Sequence, residues 1–493
     1  MKILMIAAMI FAAIVIVCFA LKILYEAGRL LPYWVAWNEK IEVFGEDYEF
    51  VLKDKCFFIN TKDGSVNLFS SDEGYRISDF LVFDVDGDSD KELLLLLWKK
   101  GKYENARPFW LTDKDDEWCQ HIFIYDIGLK ETKDQNMKEN MEEPLHQKWF
   151  TSDLGRNIKR WRVLDQNENI KLKKDPKINT LLVEDTDENV TLWAWQSWGL
   201  KNYESYVRFV AFGDLIIHED ILNYGLYKRG GNFGFLFEDI KSELNEADIS
   251  SLNLESILVN DERAYSGYPK FGAPVSLGDS IADAGFDIVT CANNHSLDKG
   301  PYGLKTTYDL FAGKKDIDCL GINDSEAAKC PYLIVVKNGI RFAFYNYTYG
   351  TNLPDEYERY SVNDLSLIDR EKLKNDLSEG RKEADVVIAF VHWGDEYQKE
   401  ISSEQKEYAG LFNECGVDVV VGSHPHVVQP VETIKGKDGF ETLVYYSLGN
   451  FRASQNDVNT REGAEAVFTF SYTYDGIKMT DHELLRFDSY WQG

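Results

Sequence analysis

DVVVGSHPHVVQPVE, Asp418 to Glu432, runs an apolar stretch into Gly422 and Ser423 and then sets His424 and His426 two residues apart. The whole chain contains only 8 histidines. Alternate residues of an extended segment point to the same side, and Pro425 between the imidazoles stiffens their spacing. The stretch therefore reads as a buried strand that delivers two imidazoles together at its carboxyl end, an arrangement suited to metal ligation.

The same grammar recurs from Tyr206 onward. Apolar runs end abruptly in polar turns in VRFVAFGD, DISSLNLE, FDIVTCANNH, RFAFYNYT, ADVVIAFVHWG and ETLVYYSLGNF. Helical patterns such as VSLGDSIADAG and YGLKTTYDLFAGK lie between several of them. Alternation of strands and helices predicts an α/β domain over 206–493 with buried sheets. In such sheets sites form beyond the carboxyl ends of the strands, where Asp214, His218, Glu255, Asn294, His295, His392, His424 and His426 fall. Singly, each has an ordinary explanation as a cap, a surface acid or a core histidine. Jointly they predict a mixed nitrogen and oxygen metal site, of a kind that suits Mn, Fe or Zn. The set exceeds the needs of one ion, and a carboxylate shared by two divalent ions is the dinuclear hydrolase arrangement.

GDLIIH, NLE, ANNHSLDKGPYGL, VHWGDEY, GSHPHVVQ and YSLGNF, in that order, resemble the CapA family, the poly-γ-glutamate capsule-biosynthesis group within the calcineurin-like metallophosphoesterase fold. The resemblance implies a two-sheet α/β/β/α sandwich. By motif it implies that Asp214 and His426 hold one metal ion and that Asn294, His392 and His424 hold a second, with Glu255 bridging. His295 resembles the histidine that assists catalysis at the leaving group, and Asp298 is placed to orient it. Broader phosphoesterases carry Asp-x-His, whereas Asp214 and His218 are separated by three residues, so His218 is a possible ligand only. The bridging acid is Glu where those enzymes have Asp.

Upstream the pattern changes. From about residue 40 to 200 short alternating runs separated by acidic turns predict a β-rich domain. LVFDVDGDSDKELLLLLW (Leu81 to Trp98) places Asp84, Asp86, Asp88, Asp90 and Glu92 on a tight turn before an apolar strand, the oxygen-rich arrangement that Ca²⁺ takes. LLVEDTDENVTLWAW (Leu181 to Trp195) repeats it more weakly, and RVLDQNENIKL (Arg162 to Leu172) is a candidate third copy. The repeat resembles the FG-GAP and VCBS motifs of β-propellers. Ile3 to Leu21 is an uncharged run of 19 residues, which as a helix spans roughly 28 Å, close to a bilayer core. That predicts a signal-anchor over residues 1–25, a membrane partner, and a single-pass protein with its body outside the cell.

Acidic side chains number 83 against 54 Lys plus Arg, a net charge of −29, which excludes a phosphate-backbone binder and hence nucleic acid as a partner. None of the 7 cysteines forms a Cys-x-x-Cys pair, so neither a zinc framework nor a dense disulfide scaffold is expected. Three functions follow: biosynthesis, export or processing of an anionic polymer; metal-dependent phosphoester hydrolysis; or a non-catalytic scaffold beside membrane synthase subunits. KRGGNFGF (Lys228 to Phe235) and YPKFGAP (Tyr268 to Pro274) are candidate pocket-edge loops.

Overall fold

The computed structural model describes residues 16–24, 34–103, 115–129, 143–151, 154–155, 157–164, 179–197, 199–203, 206–324, 331–353 and 361–491. The chain forms two compact units, Met1–Ser205 with Thr473–Gly476, and Tyr206–Tyr472 with Ile477–Gly493.

The first unit holds three consecutive four-stranded antiparallel sheets, within 40–70, 76–150 and 158–203. The middle sheet explains the run of leucines. In the strand Glu92–Lys100, Leu93, Leu95 and Leu97 pack with Phe50, Phe57 and Ile59 of the first sheet. Leu94 and Leu96 turn to the other face and pack with Trp161, Leu181 and Val183 of the third. A strand covered on both faces has no need of polar alternation. Three sheets are fewer than the roughly four to eight blades that close a propeller, so the expected blade repeat is met by stacked meanders without a ring among the described residues. Of the candidate third copy, Arg162 to Leu172, residues 165–172 lie outside them.

The first acidic turn brings oxygens of Asp84, Asp86 and Glu92 within 4.8 Å of one another, but it carries a cation of its own. Lys148 Nζ lies 2.7 Å from Asp86 Oδ2, 2.8 Å from Glu92 Oε1 and 3.0 Å from Asp126 Oδ1. Asp84 is spent on its own turn, accepting from the backbone N–H groups of Gly87 and Ser89. Asp88 and Asp90 stand outside the cluster, with Asp88 accepting from the Asp90 backbone. In the second copy Asp185 Oδ1 accepts from the backbones of Asp187 and Asn189. Burial pushes the Glu92 carboxyl up, and Lys148 opposes that shift. Removing one partner of a buried ion pair costs about 3 kcal/mol or more. Lys148→Gln is therefore expected to lower the Tm of the full chain, whereas EGTA leaves the wild-type Tm unchanged. Destabilisation of the wild type by EGTA would mean that Ca²⁺, not the ammonium, balances the turn.

The signal-anchor expectation is corrected. Among the described residues no helix is long and apolar enough to cross a membrane. Residues 16–24 are helical. Residues 3–15 of the apolar run lie outside the described residues. The single-pass, outward-facing placement built on that anchor falls with it.

The second unit is mixed α/β, with two large sheets and a two-stranded one that pairs Leu258–Val259 with Ala273–Pro274. The first contains β1 (Tyr206–Leu215), β2 (Ile249–Leu254), β3 (Ile288–Thr290) and β4 (Asp318–Leu320). The second contains β5 (Leu333–Lys337), β6 (Ile340–Thr348), β7 (Val386–His392), β8 (Val419–Ser423), β9 (Val431–Lys435) and β10 (Glu441–Tyr445). The chain then returns to the first sheet as β11 (Asn450–Arg452), β12 (Glu462–Thr473) and β13 (Gly476–Asp488). The orders are β4-β3-β2-β1-β12-β13, with β11 beside β1, and β5-β6-β7-β8-β10-β9. β1 to β4 are mutually parallel, as are β6, β7, β8 and β10. An aromatic layer joins the sheets: the Phe209 ring lies 4.8 Å from Phe468, 5.7 Å from Phe344 and 6.2 Å from Phe390. Outside the first sheet pack α1 (Val275–Ala284) and α2 (Gly300–Ala312), through Leu277, Ile281 and Phe311. Outside the second pack α3 (Arg370–Glu383) and α4 (Ser403–Glu414), through Leu373, Leu377 and Phe412. The layer order is helix, sheet, sheet, helix, and the parallel strands bring their carboxyl ends to one edge.

Candidate metal centre

Five of the strands ending at that edge, β1, β2, β3, β7 and β8, deliver the polar side chains of the site. β1 carries Asp214 past a bulge: Phe212 pairs with Leu252 and Asp214 with Asn253, leaving Gly213 as the extra residue. A bulge re-aims the side chain that follows it. Only glycine fits there, since a Cβ on Gly213 would meet the Gly449 carbonyl oxygen at 2.0 Å. Glu255 follows β2, Asn294 and His295 lie in the turn after β3, His392 ends β7, and His424 and His426 follow β8.

The His-Pro-His segment is a turn rather than an extended strand. His424 has φ 99° and His426 φ 58°, a left-handed backbone that costs non-glycine residues about 1–3 kcal/mol each. Asp214 holds the turn, its Oδ2 accepting from the His424 backbone N–H at 3.2 Å and lying 3.1 Å from His426 Nδ1. The two imidazoles converge by this fold-over and not by strand alternation.

Asp214, Glu255, Asn294, His392, His424 and His426 are all buried. His392 Nε2 lies 3.0 Å from Asn294 Oδ1 and 3.5 Å from Glu255 Oε1, and His426 Nε2 lies 3.8 Å from the same oxygen. Ligating atoms of Glu255, His424 and His426 fall within 4.8 Å of one another, as do those of Asp214, Glu255 and His392. Glu255 is common to both groups. Neither of its oxygens has a hydrogen-bond partner, and His424 Nδ1 has none either. Buried polar atoms are ordinarily paired, and an unpaired buried carboxylate costs several kcal/mol. Convergent acceptors without donors are what a divalent cation satisfies, so the residues fit one.

The electrostatics agree. Burial, reinforced by the neighbouring Asp214 carboxylate, pushes the Glu255 carboxyl far up. Burial holds His392 down at about 3 and drives His424 well below its usual range, which keeps both imidazoles neutral. Burial also opposes charge on His426, but Glu255 and Asp214 outweigh it and raise its pKa to about 9. His392 Nδ1 bonds Ser423 Oγ at 3.0 Å, which turns Nε2 toward Glu255 and Asn294.

His295 and Asp298 stand beside this cluster. His295 Nδ1 lies 2.7 Å from Asp298 Oδ2, which also accepts from the Phe271 backbone N–H at 2.7 Å. The Phe271 ring packs edge-on against His295 at 4.7 Å and against His218 at 5.5 Å. His218 belongs to neither ligand group. Burial lowers its pKa to about 4, and its Nδ1 lies 3.3 Å from the Ser454 backbone N–H, in the wall of a cavity of about 400 Å³ over the cluster. Tyr268 and Phe271 of the YPKFGAP loop line this cavity, whereas no residue of KRGGNFGF does.

Sequence reading missed Asn253, whose Nδ2 donates to Asp214 Oδ1 at 2.7 Å and lies 3.3 Å from His392 Nδ1. Its signal was its position two residues before Glu255 in SLNLE. Glu396 and Tyr397, which also line the cavity, follow the HWG motif directly.

The raised pKa values carry a signed consequence. Without a cation the Glu255 and His426 pair holds a proton at neutral pH, which a cation entering between the ligands must displace. Mn²⁺ affinity is therefore expected to rise with pH up to about 9 and flatten above, with release of about one to two protons per chain. Calorimetry in buffers of different ionisation enthalpy measures that release. Uptake with no proton release and no pH dependence would place the cation elsewhere.

Comparison with known proteins comes to the same region. Residues 208–455 match the family described as bacterial capsule synthesis protein PGA_cap. The PGA biosynthesis protein CapA of Bacillus subtilis (strain 168) is 33% identical over 185 residues, 37% of this chain and 47% of that protein. The capsule biosynthesis protein CapA of Bacillus anthracis is 28% identical over 239 residues, 47% of this chain and 56% of that one. The chain thus spans about half the length of the curated relatives it matches. Among solved structures, the calcineurin-like phosphoesterase YfkN from Bacillus subtilis aligns at 14% identity with TM-score 0.36, over 58% of this chain and 91% of that one.

Proposed function

From a chain that belongs to the bacterial capsule synthesis protein family over residues 208–455, we infer a metal-dependent protein that processes an anionic capsule polymer such as poly-γ-glutamate. The observation that carries the metal dependence is Glu255, fully buried with neither carboxylate oxygen hydrogen-bonded. In this reading Asp214 and His426 hold one divalent ion, and Asn294, His392 and His424 hold a second, with Glu255 common to both. The donor set of imidazole, carboxylate and amide oxygen suits Mn, Fe or Zn. Such ions, when bound, supply Lewis-acid charge toward a carbonyl or phosphoryl oxygen.

The chain's own residues supply the remainder. With Nδ1 bound to Asp298, His295 keeps Nε2 for a substrate, and the carboxylate fixes the orientation of the ring. A γ-linked polymer breaks at an amide whose nitrogen must take up a proton to depart. His295 is the donor in this reading, and Asp298 and Phe271 position it.

His295→Ala is expected to keep its metal content and lose about 10²–10⁴-fold in turnover, the usual contribution of a general acid. His424→Ala is expected to lose about one ion per chain because a ligand is missing. The checks are elemental analysis after Mn²⁺ loading, chain-length analysis of poly-γ-glutamate incubated with each variant, and capsule production in complemented cells. Full capsule in cells carrying His295→Ala, with none in cells carrying His424→Ala, would make the metals structural and the protein a scaffold. Cleavage of phosphodiesters with poly-γ-glutamate left intact would instead make it a phosphoesterase.

A further inference from the structure

The cavity over the metal cluster has an acidic, aromatic mouth. None of its thirteen lining residues is Lys or Arg; Glu396 and Asp457 line it, together with Glu255, His218, His295 and His426. Tyr268, Tyr397 and Phe271 supply three aromatic rings to the same surface. Tyr268 is 78% exposed, a large ring held out in solvent rather than packed. Tyr397 is fixed by its backbone: φ is 64°, its N–H donates to the Pro425 carbonyl at 2.8 Å, and its ring lies 6.0 Å from His426. Asp457 is fixed as well, its Oδ1 accepting from the Asn459 backbone N–H at 2.8 Å and side-chain amide at 3.0 Å. Glu255, buried and without hydrogen-bond partners, faces this space from the floor.

A polyanion would meet this mouth with like charge, and such juxtaposition costs several kcal/mol. The chain's −29 charge offers no general relief. Carboxylates interleaved with tyrosine rings suit the opposite ligand, because an ammonium gains both ion pairing and attraction to the ring faces. We propose that the cavity mouth formed by Glu396, Asp457, Tyr268 and Tyr397 binds a primary ammonium group, and that the ligand enters as the amino-terminal end of an amino-acid polymer rather than as an internal polyanionic stretch. Burial and the Glu396 carboxylate push the Tyr397 phenol up to about 12, so the ring stays neutral beside that carboxylate. The proposal rests on the polymer-processing reading and narrows it to a chain end. Hydrolysis of the terminal amide there adds water across the bond, the carbonyl of the end unit gaining the hydroxyl and the nitrogen of the shortened chain leaving with a proton. Units are thus released from one end while the internal carboxylates of the polymer remain outside the mouth.

Calorimetry of the full chain loaded with Mn²⁺ tests this. The ligands are a γ-linked glutamyl trimer with a free amino end, its N-acetyl derivative, and free glutamate. The free-amine trimer is expected to bind roughly tenfold or more tightly than the acetylated one, the scale of a charge-assisted hydrogen bond. The preference is expected to vanish in the Glu396→Gln, Asp457→Asn double variant, whose metal content stays that of the wild type because neither residue is a ligand. Equal binding of free and acetylated trimers overturns the proposal while leaving the polymer reading intact. A preference that survives in the double variant also overturns it. Free glutamate binding as tightly as the trimer overturns the chain-end assignment. Binding of neither trimer by a metal-loaded protein that cleaves a phosphodiester overturns the proposal together with the polymer reading.

Discussion

Two carboxylates, Asp214 and Glu255, are buried a short distance apart beside His392 and His424, which burial keeps from charging, and His426, whose pKa the carboxylates raise. Asp214 is stabilised by Asn253 and by the left-handed turn of His424 and His426. Glu255 has no such support. A protein interior penalises an unpaired carboxylate heavily, so the region is either protonated or filled by a cation. Much of the second unit serves to hold this imbalance in place. The Phe209 layer joins the two sheets, and the bulge at Gly213 and the turn at His424–His426 then aim ligands from each sheet into one space.

The site was legible in the sequence because parallel strands end abruptly. An apolar run that stops at Asp, Glu, Asn or His marks the edge where water or ligand begins, and all six proposed ligands were found that way. Their geometry was less legible. His424 and His426 looked like neighbours on a strand face, yet their positive φ values make them a turn, and a period-two argument cannot detect left-handed residues. His218 was drawn in by its place at a strand end and sits in the cavity wall. Asn253 was hidden because its partners, Asp214 and His392, come from distant parts of the chain.

In the first unit the leucine run was legible as a buried strand, and the two-faced burial of Leu93 to Leu97 gives its cause. The charge balance of the acidic turn was not. Lys148 lies 56 residues from Glu92, and nothing local distinguishes a turn awaiting Ca²⁺ from one already served by a lysine. Likewise an apolar run of bilayer length gives a span only if it is helical throughout, and hydropathy does not establish that.

The same electrostatic logic separates the floor of the cavity from its mouth. At the floor, Glu255 lacks a hydrogen-bond donor and burial keeps His392 and His424 neutral, which favours divalent cations and, through them, an oxygen-rich group of a ligand. At the mouth, Glu396 and Asp457 stand beside aromatic rings, with no Lys or Arg in the lining, which favours positive charge. A uniform polyanion matches the floor and clashes with the mouth, and a uniform polycation does the reverse. The ligand that suits both ends carries a carbonyl or carboxylate separated by a few bonds from an ammonium. An amino-acid unit at the end of its chain has that pattern, and the same unit in the chain interior, its nitrogen locked in an amide, does not.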